Sequence, residues 1–263
     1  MRGRSKQMIL GLVFTAIAPL SGLQGQTGSP GAEAAPRPKP VLVELFTSEG
    51  CSSCPPADAL LRQIDGTRTS AGQWIVGISE HVTYWNSLGW SDPFSSLVYT
   101  DRQSAYGARF GVDSVYTPQM VVNGGEQFVG SDRAGLLRAL EKEQRQPDAV
   151  TFSIQSVTQQ GTMLTVAFNA SGAIPSHGVD IIAVVTDDSQ RSSVSKGENS
   201  GRTLVHVSVA RSLQRVATLR AAAQQTVQIP LPSGFQSSTA HHLILFAQIK
   251  GAGRVLGTDS RPF

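Results

Sequence analysis

The chain contains two cysteines, and they stand together as Cys51-Ser52-Ser53-Cys54. An apolar run from Val41 to Phe46 precedes them and reads as a strand covered on both faces. Ala57 to Ile64 follows, with Leu60, Leu61 and Ile64 at helical spacing, so the pair lies at a strand-to-helix junction. That spacing and position suit thiol–disulfide exchange. Unpaired N–H groups at a helix start favour Cys51 as thiolate, the species that attacks a disulfide, and Cys54 then resolves the mixed disulfide. A staple is the weaker explanation, because closing so short a loop gains roughly 2 kcal/mol in the chain-entropy account, less than linking distant segments gives. The reduced pair also suits a soft ion such as Cu(I). Zinc needs four ligands, and no other residues complete a set by spacing, so neither a metal site nor a cofactor is assigned.

Two further positions join the pair as candidates. Thr117-Pro118 stands immediately before the apolar stretch Gln119 to Asn123, and the sequence from Phe110 to Gly124 resembles the approach to the cis-proline of the thioredoxin superfamily. A cis Pro118 is expected beside the cysteines, with the Thr117 main chain free to pair with an extended substrate peptide. Glu44 is an acid inside an otherwise apolar strand, where an unpaired charge is costly. It lies close to where thioredoxins carry a buried acid that exchanges protons with the second cysteine, and that resemblance makes it a candidate proton relay, the alternative being a solvent-facing or salt-bridged Glu44. His81, at a strand end, is a weaker candidate for a base or ligand. Tyr84, Trp85, Trp90 and Phe94 either line a peptide groove or anchor their own loop. His241-His242 reads as a pair of strand neighbours on opposite faces.

The elements that must hold these residues follow from periodicity. After the first strand and helix, Trp74 to Ser79 reads as a second buried strand. Gln119 to Asn123 reads as a third, turning at Asn123-Gly124-Gly125 into Gln127 to Val129. A helix carrying Leu136, Leu137 and Leu140 comes next. The aromatic-rich segment 81–117 interrupts this order as an insertion, with a helix expected over Thr100 to Phe110 and a lid or ordered loop before it. Beyond Asp148 the texture changes to short alternating strands: Thr151 to Val157, Met163 to Asn169, Asp180 to Thr186, Thr203 to Ala210, Thr226 to Pro230 and His242 to Lys250.

The N-terminus has the order of a secretory signal. Arg2, Arg4 and Lys6 precede the uncharged apolar run Met8 to Leu20, which is too short to span a bilayer. Residues 1–25 hold three of the 22 Lys and Arg and none of the 19 Asp and Glu, so what remains is balanced at 19 against 19. The basic character therefore belongs to the export signal, and it gives no reason to expect a nucleic-acid partner.

The stretch Val43 to Asp58, with Tyr84-Trp85, Leu88 to Phe94 and Gly201-Arg-Thr-Leu204, resembles an exported bacterial family catalogued as domain-of-unknown-function family 1223. The resemblance covers about residues 40–263 and implies a thioredoxin-like fold and export, but no reaction. Three departures from ordinary thioredoxins stand out: Gly50 replaces the usual aromatic before the first cysteine, Pro55-Pro56 follows the second, and the insertion begins at His81. The expected architecture is an α/β thioredoxin-like domain with a helical or loop insertion, followed by an all-β antiparallel sandwich-like domain. Its parts are a signal peptide (1–25), a flexible leader (26–40), the first domain (41–147, insertion 81–117) and the second (148–263). The expected function is a periplasmic or secreted thiol–disulfide oxidoreductase with a thiol or disulfide protein partner and no stable membrane anchor. The alternatives are a binding module with a structural disulfide and a Cu(I)-handling protein.

Overall fold

The computed structural model describes residues 39–147, 150–235 and 239–263. The expected signal, 1–25, and the expected leader as far as residue 38 lie outside them. Strand β1 (Pro40–Thr47) runs parallel to β2 (Trp74–His81) and antiparallel to β3 (Gln119–Val122), which turns back into β4 (Glu126–Val129). The apolar residues of β1 alternate between two destinations. Val41, Val43 and Leu45 pack under helices α1 (Pro55–Ile64) and α3 (Arg133–Gln144), against Leu60, Leu61, Leu136 and Leu140. Leu42 goes to the other face, with Val76 and Ile78 of β2 and Tyr99 of α2 (Leu97–Phe110). With helices on both faces, the strand reads as an unbroken apolar run.

The remaining strands are β5 (Val150–Gln160), β6 (Met163–Gly172), β7 (Val179–Ser193), β8 (Thr203–Leu219), β9 (Ala223–Pro230), β10 (His241–Ile249) and β11 (Val255–Pro262). Here the expectation of a thioredoxin-like α/β domain followed by a separate all-β sandwich-like domain is overturned. One mixed sheet of eight strands, in the order β11-β10-β7-β8-β2-β1-β3-β4, runs through both halves of the sequence, and only β5, β6 and β9 form a second sheet. Residues 38–263 make one compact unit.

The join is at β8, which meets the outer edge of β2 in parallel at Ser79 and Val209. Along the rest of that edge Gly66 and Thr67 pair with Ile75 and the Gly77 amide donates to Asp65 Oδ1, so β8 supplies the pairing at Ser79. Strands β7 and β10 show why no separate sandwich forms. Val179, Ile181, Ala183, Leu243 and Leu245 face the three-stranded sheet, whereas Ile182, Val184, Ile244 and Phe246 join Leu42 and Ile78 on the opposite side. The second face of these strands is thus the core of the first half.

Candidate functional site

Cys51 and Cys54 are joined as a disulfide in the turn between β1 and α1, and both are fully buried. Cys54 is the residue before the first helical turn, and Pro55 and Pro56 occupy the first two helical positions. Proline carries no N–H, so those positions offer the cysteines no donor. The Ser52 amide donates instead to Glu198 Oε2 at 3.0 Å. The helix start is therefore a poorer anion site than the cysteine spacing suggested.

The bond between Thr117 and Pro118 is cis. Gly130 is wedged between Pro118, α1 and β1: a Cβ there would stand 3.0 Å from Pro118 Cβ, 3.1 Å from Ala57 Cβ and 2.8 Å from Leu45 Cδ1. From the other side, the Trp85 indole donates to Thr117 Oγ1 at 2.8 Å. A Cβ on Gly50 would come within 3.1 Å of Trp85 Cβ, so Trp85 fills the space beside the small residue that precedes Cys51. Trp85 and Trp90 thus anchor the insertion to the cysteine loop, Trp90 by donating to Glu49 Oε2 at 2.8 Å.

Glu44 is placed elsewhere. Strand alternation turns it away from the α1 face towards α2, where its carboxylate pairs with Arg102 at 2.5 Å and accepts from Tyr106 Oη at 2.7 Å. Glu80 shares that buried cluster, 3.6 Å from the same guanidinium. Burial, followed by the Glu44 charge, pushes the Glu80 carboxyl well above the ordinary range.

The acids beside the cysteines are Glu49, two residues before Cys51, and Asp58, one turn into α1. The Asp58 amide donates to the Cys54 carbonyl at 3.1 Å, and the Asp58 carboxylate accepts from Thr47 Oγ1 at 2.9 Å. Between the two carboxylates lies the imidazole of His206, on β8. Its Nε2 is 3.4 Å from Glu49 Oε1 and its Nδ1 3.7 Å from Asp58 Oδ2, ion-pair separations within a fully buried cluster. Burial pulls the imidazole down, but the two carboxylates outweigh it and lift its pKa to about 9. His81 stands 4.7 Å from His206, ring to ring, with Nδ1 2.7 Å from Asp92 Oδ2 and Nε2 3.2 Å from Ser79 Oγ. Burial raises the Asp92 carboxyl, yet His81 and the amides of Glu49 and Phe94 hold it below the usual range.

A cover over the pair comes from the far half of the sequence. The turn between β7 and β8, residues 194–202, lies on the cysteine loop. Asn199 is fully buried there, and its Nδ2 donates to the carbonyls of Glu49 and Cys51, each at 2.9 Å. Arg202 fixes the amide by donating to its Oδ1 at 2.8 Å. Asp58 was within reach of sequence reasoning, since it lies four residues after Cys54 on the same helical face. His206 and Asn199 carried no such signal, and only the neighbouring Gly201-Arg-Thr-Leu204 drew attention to that segment.

His241 and His242 are structural neighbours of acids: His241 Nδ1 is 3.0 Å from Asp187 and His242 Nδ1 2.6 Å from Asp188. Among the described residues, no group of three or more His, Cys, Asp or Glu is arranged to hold a metal ion. No helix among them is long and apolar enough to cross a membrane.

Two solved structures resemble the chain over most of its length. The protein AGR_C_4864 from Agrobacterium tumefaciens is 27% identical, with a TM-score of 0.62, and the match covers 84% of this chain and 92% of that one. HBP35 of Porphyromonas gingivalis, 13% identical with a TM-score of 0.60, matches over 85% of this chain and 75% of its own and shares the fold alone. No curated protein gives a significant match. The profile described as protein of unknown function (DUF1223) matches residues 42–248, and it covers the cysteine loop, the insertion and the β7–β8 turn together. By that match the chain belongs to the DUF1223 family.

Proposed function

We propose that the chain is an extracytoplasmic thiol–disulfide oxidoreductase in which Cys51 and Cys54 exchange with a thiol or disulfide of a protein partner. The observation that carries the reading is the pairing of the two cysteines with each other across a single turn whose flanking residues, Glu49 and Asp58, meet His206 in the interior. A disulfide spanning so few residues contributes only roughly 2 kcal/mol of chain-entropy stabilisation, and a cluster of buried charges around it is costly to assemble. Both features are more readily understood as serving chemistry at the sulfurs. Export accords with the disulfide, which persists in oxidising compartments, and with the signal-like N-terminal sequence. Kinship with the thioredoxin superfamily, limited to the segments β1–α1–β2 and β3–β4–α3 around the pair, is part of this reading. Thr117, at the rim, supplies main-chain groups for an extended partner segment.

Exchange requires the β7–β8 turn to move, because both sulfurs are covered. Burial is also the observation that favours a second reading, a binding module whose disulfide stays closed. Replacing Cys54 with Ser leaves Cys51 to form a mixed disulfide that is not resolved. The oxidoreductase reading expects covalent adducts with a partner protein, lost on reduction and absent when Cys51 is also replaced. A reduction potential below about −300 mV, with Cys51 inert to alkylation after reduction, supports the closed disulfide instead.

A further inference from the structure

We propose that His206 is a positioning residue for the cysteine pair, holding a cation across the two ends of the cysteine loop so that a thiolate can form beside Glu49 and Asp58. The inference rests on the oxidoreductase reading. Its geometric basis is that one buried ring reaches both flanks of the loop, Glu49 before Cys51 at 3.4 Å and Asp58 after Cys54 at 3.7 Å. The usual source of positive potential at a helix start is reduced here, since Pro55 and Pro56 lack N–H groups and the Ser52 amide is engaged by Glu198. Two carboxylates without a cation would oppose any thiolate in the loop.

The charged and titratable groups around the ring come from every element packed on it. They are Glu49 in the cysteine loop, Asp58 on α1, His81 on β2, Asp92 in the insertion, Arg62 of α1 on the Val205 carbonyl, and Arg202 in the β7–β8 turn. Of these, only the two carboxylates stand at ion-pair distance from the imidazole, which is consistent with its raised pKa.

In the exchange, a partner thiolate attacks one sulfur of the Cys51–Cys54 bond. The partner–cysteine bond forms, the original S–S bond breaks, and the displaced cysteine leaves with the electron pair as thiolate. A second partner thiol gives its proton to water and attacks the partner sulfur of the mixed disulfide, which expels the remaining cysteine as thiolate. Two electrons pass from the partner dithiol to the pair, and the cysteines take protons from water as they neutralise. His206 keeps its proton throughout, and its charge acts at both thiolate-forming steps.

The test uses the full chain, reduced with dithiothreitol and then freed of it, with iodoacetamide alkylation followed against pH. His206→Gln is expected to move the profile upward by about one pH unit, which slows alkylation about tenfold on its acid limb. Glu49→Gln and Asp58→Asn are expected to move it downward. Opposite signs separate a charge effect from loosening of the fold, which would shift all three variants the same way. If His206→Gln does not fold, the two carboxylate variants carry the test. A reactive pair whose profile none of the variants moves, or all move alike, overturns the inference alone. A wild-type disulfide that excess dithiothreitol leaves intact sinks the oxidoreductase reading and this inference with it.

Discussion

Glu49 and Asp58 flank the buried His206 imidazole and raise its pKa, so part of the stability is expected to depend on pH. Its folded pKa of about 9 lies above the ordinary 6.5, so its contribution is fully present below pH 6.5. As pH rises from 6.5 the unfolded chain releases this proton while the folded chain keeps it, and the contribution is lost through about pH 9. The span is worth on the order of 3 kcal/mol, or about 6–12 °C in Tm for a domain of this size. Thermal melts of the oxidised protein are expected to show that fall between pH 6.5 and 9.5, and His206→Gln to flatten it. A wild-type curve that is level across this window would show that His206 is not held as a cation. At this scale the sequence was partly legible. Spacing placed Cys51 and Cys54 in one turn, where they pair, and the neighbours of Pro118 led to the expectation of a cis bond, which is present, whereas Glu44 is turned to Arg102 and Tyr106 rather than to the cysteines. Its burial was foreseeable from an apolar strand, but the side it faces depends on a partner, Arg102, that lies 58 residues away.

The element of the second half that holds the cysteine loop is the β7–β8 hairpin, through Asn199 and Glu198. Its two strands were visible as alternating runs, but nothing local to residues 194–202 indicated that the turn reaches a loop some 150 residues earlier. Pairing partners of long strands are set by edges and core volume elsewhere in the chain, not by the period of the strand itself. The Asn199 amide supplies two hydrogen bonds to carbonyls of the cysteine loop, so Asn199→Ala removes donors from buried acceptors. That costs about 1–3 kcal/mol, and if the turn must lift before the disulfide reacts, the open population rises correspondingly. Reduction by dithiothreitol is then expected to proceed about 10–100 times faster in the variant at equal pH. A lower Tm with an unchanged reduction rate would mean that the reductant reaches the sulfurs by another route.

For the molecule as a whole, the change of texture after Asp148 marked a change of local pattern and not a boundary between independent cores. Helical and strand periods are local, so they carry no information on which strands share a sheet, and the expected separate sandwich gives way to one sheet running through both halves. The decisive contacts are long in sequence: Ser79 against Val209, and Leu42 and Ile78 against Ile182, Val184, Ile244 and Phe246. Cutting the chain after residue 147 would bare one face of β1 and β2 together with the edge of β2 at Ser79, an apolar surface with unpaired backbone beside it. Residues 39–147 expressed alone are therefore expected not to fold cooperatively. The intact chain should unfold in one transition, and its composition offers two probes of that. All three tryptophans, Trp74, Trp85 and Trp90, lie in the first half, whereas most of the strand content that far-UV circular dichroism follows lies in the second. Denaturation curves by fluorescence and by circular dichroism should coincide. Separated midpoints, or a fragment 39–147 that melts sharply on its own, would show that the first half is held together without β7, β8, β10 and β11.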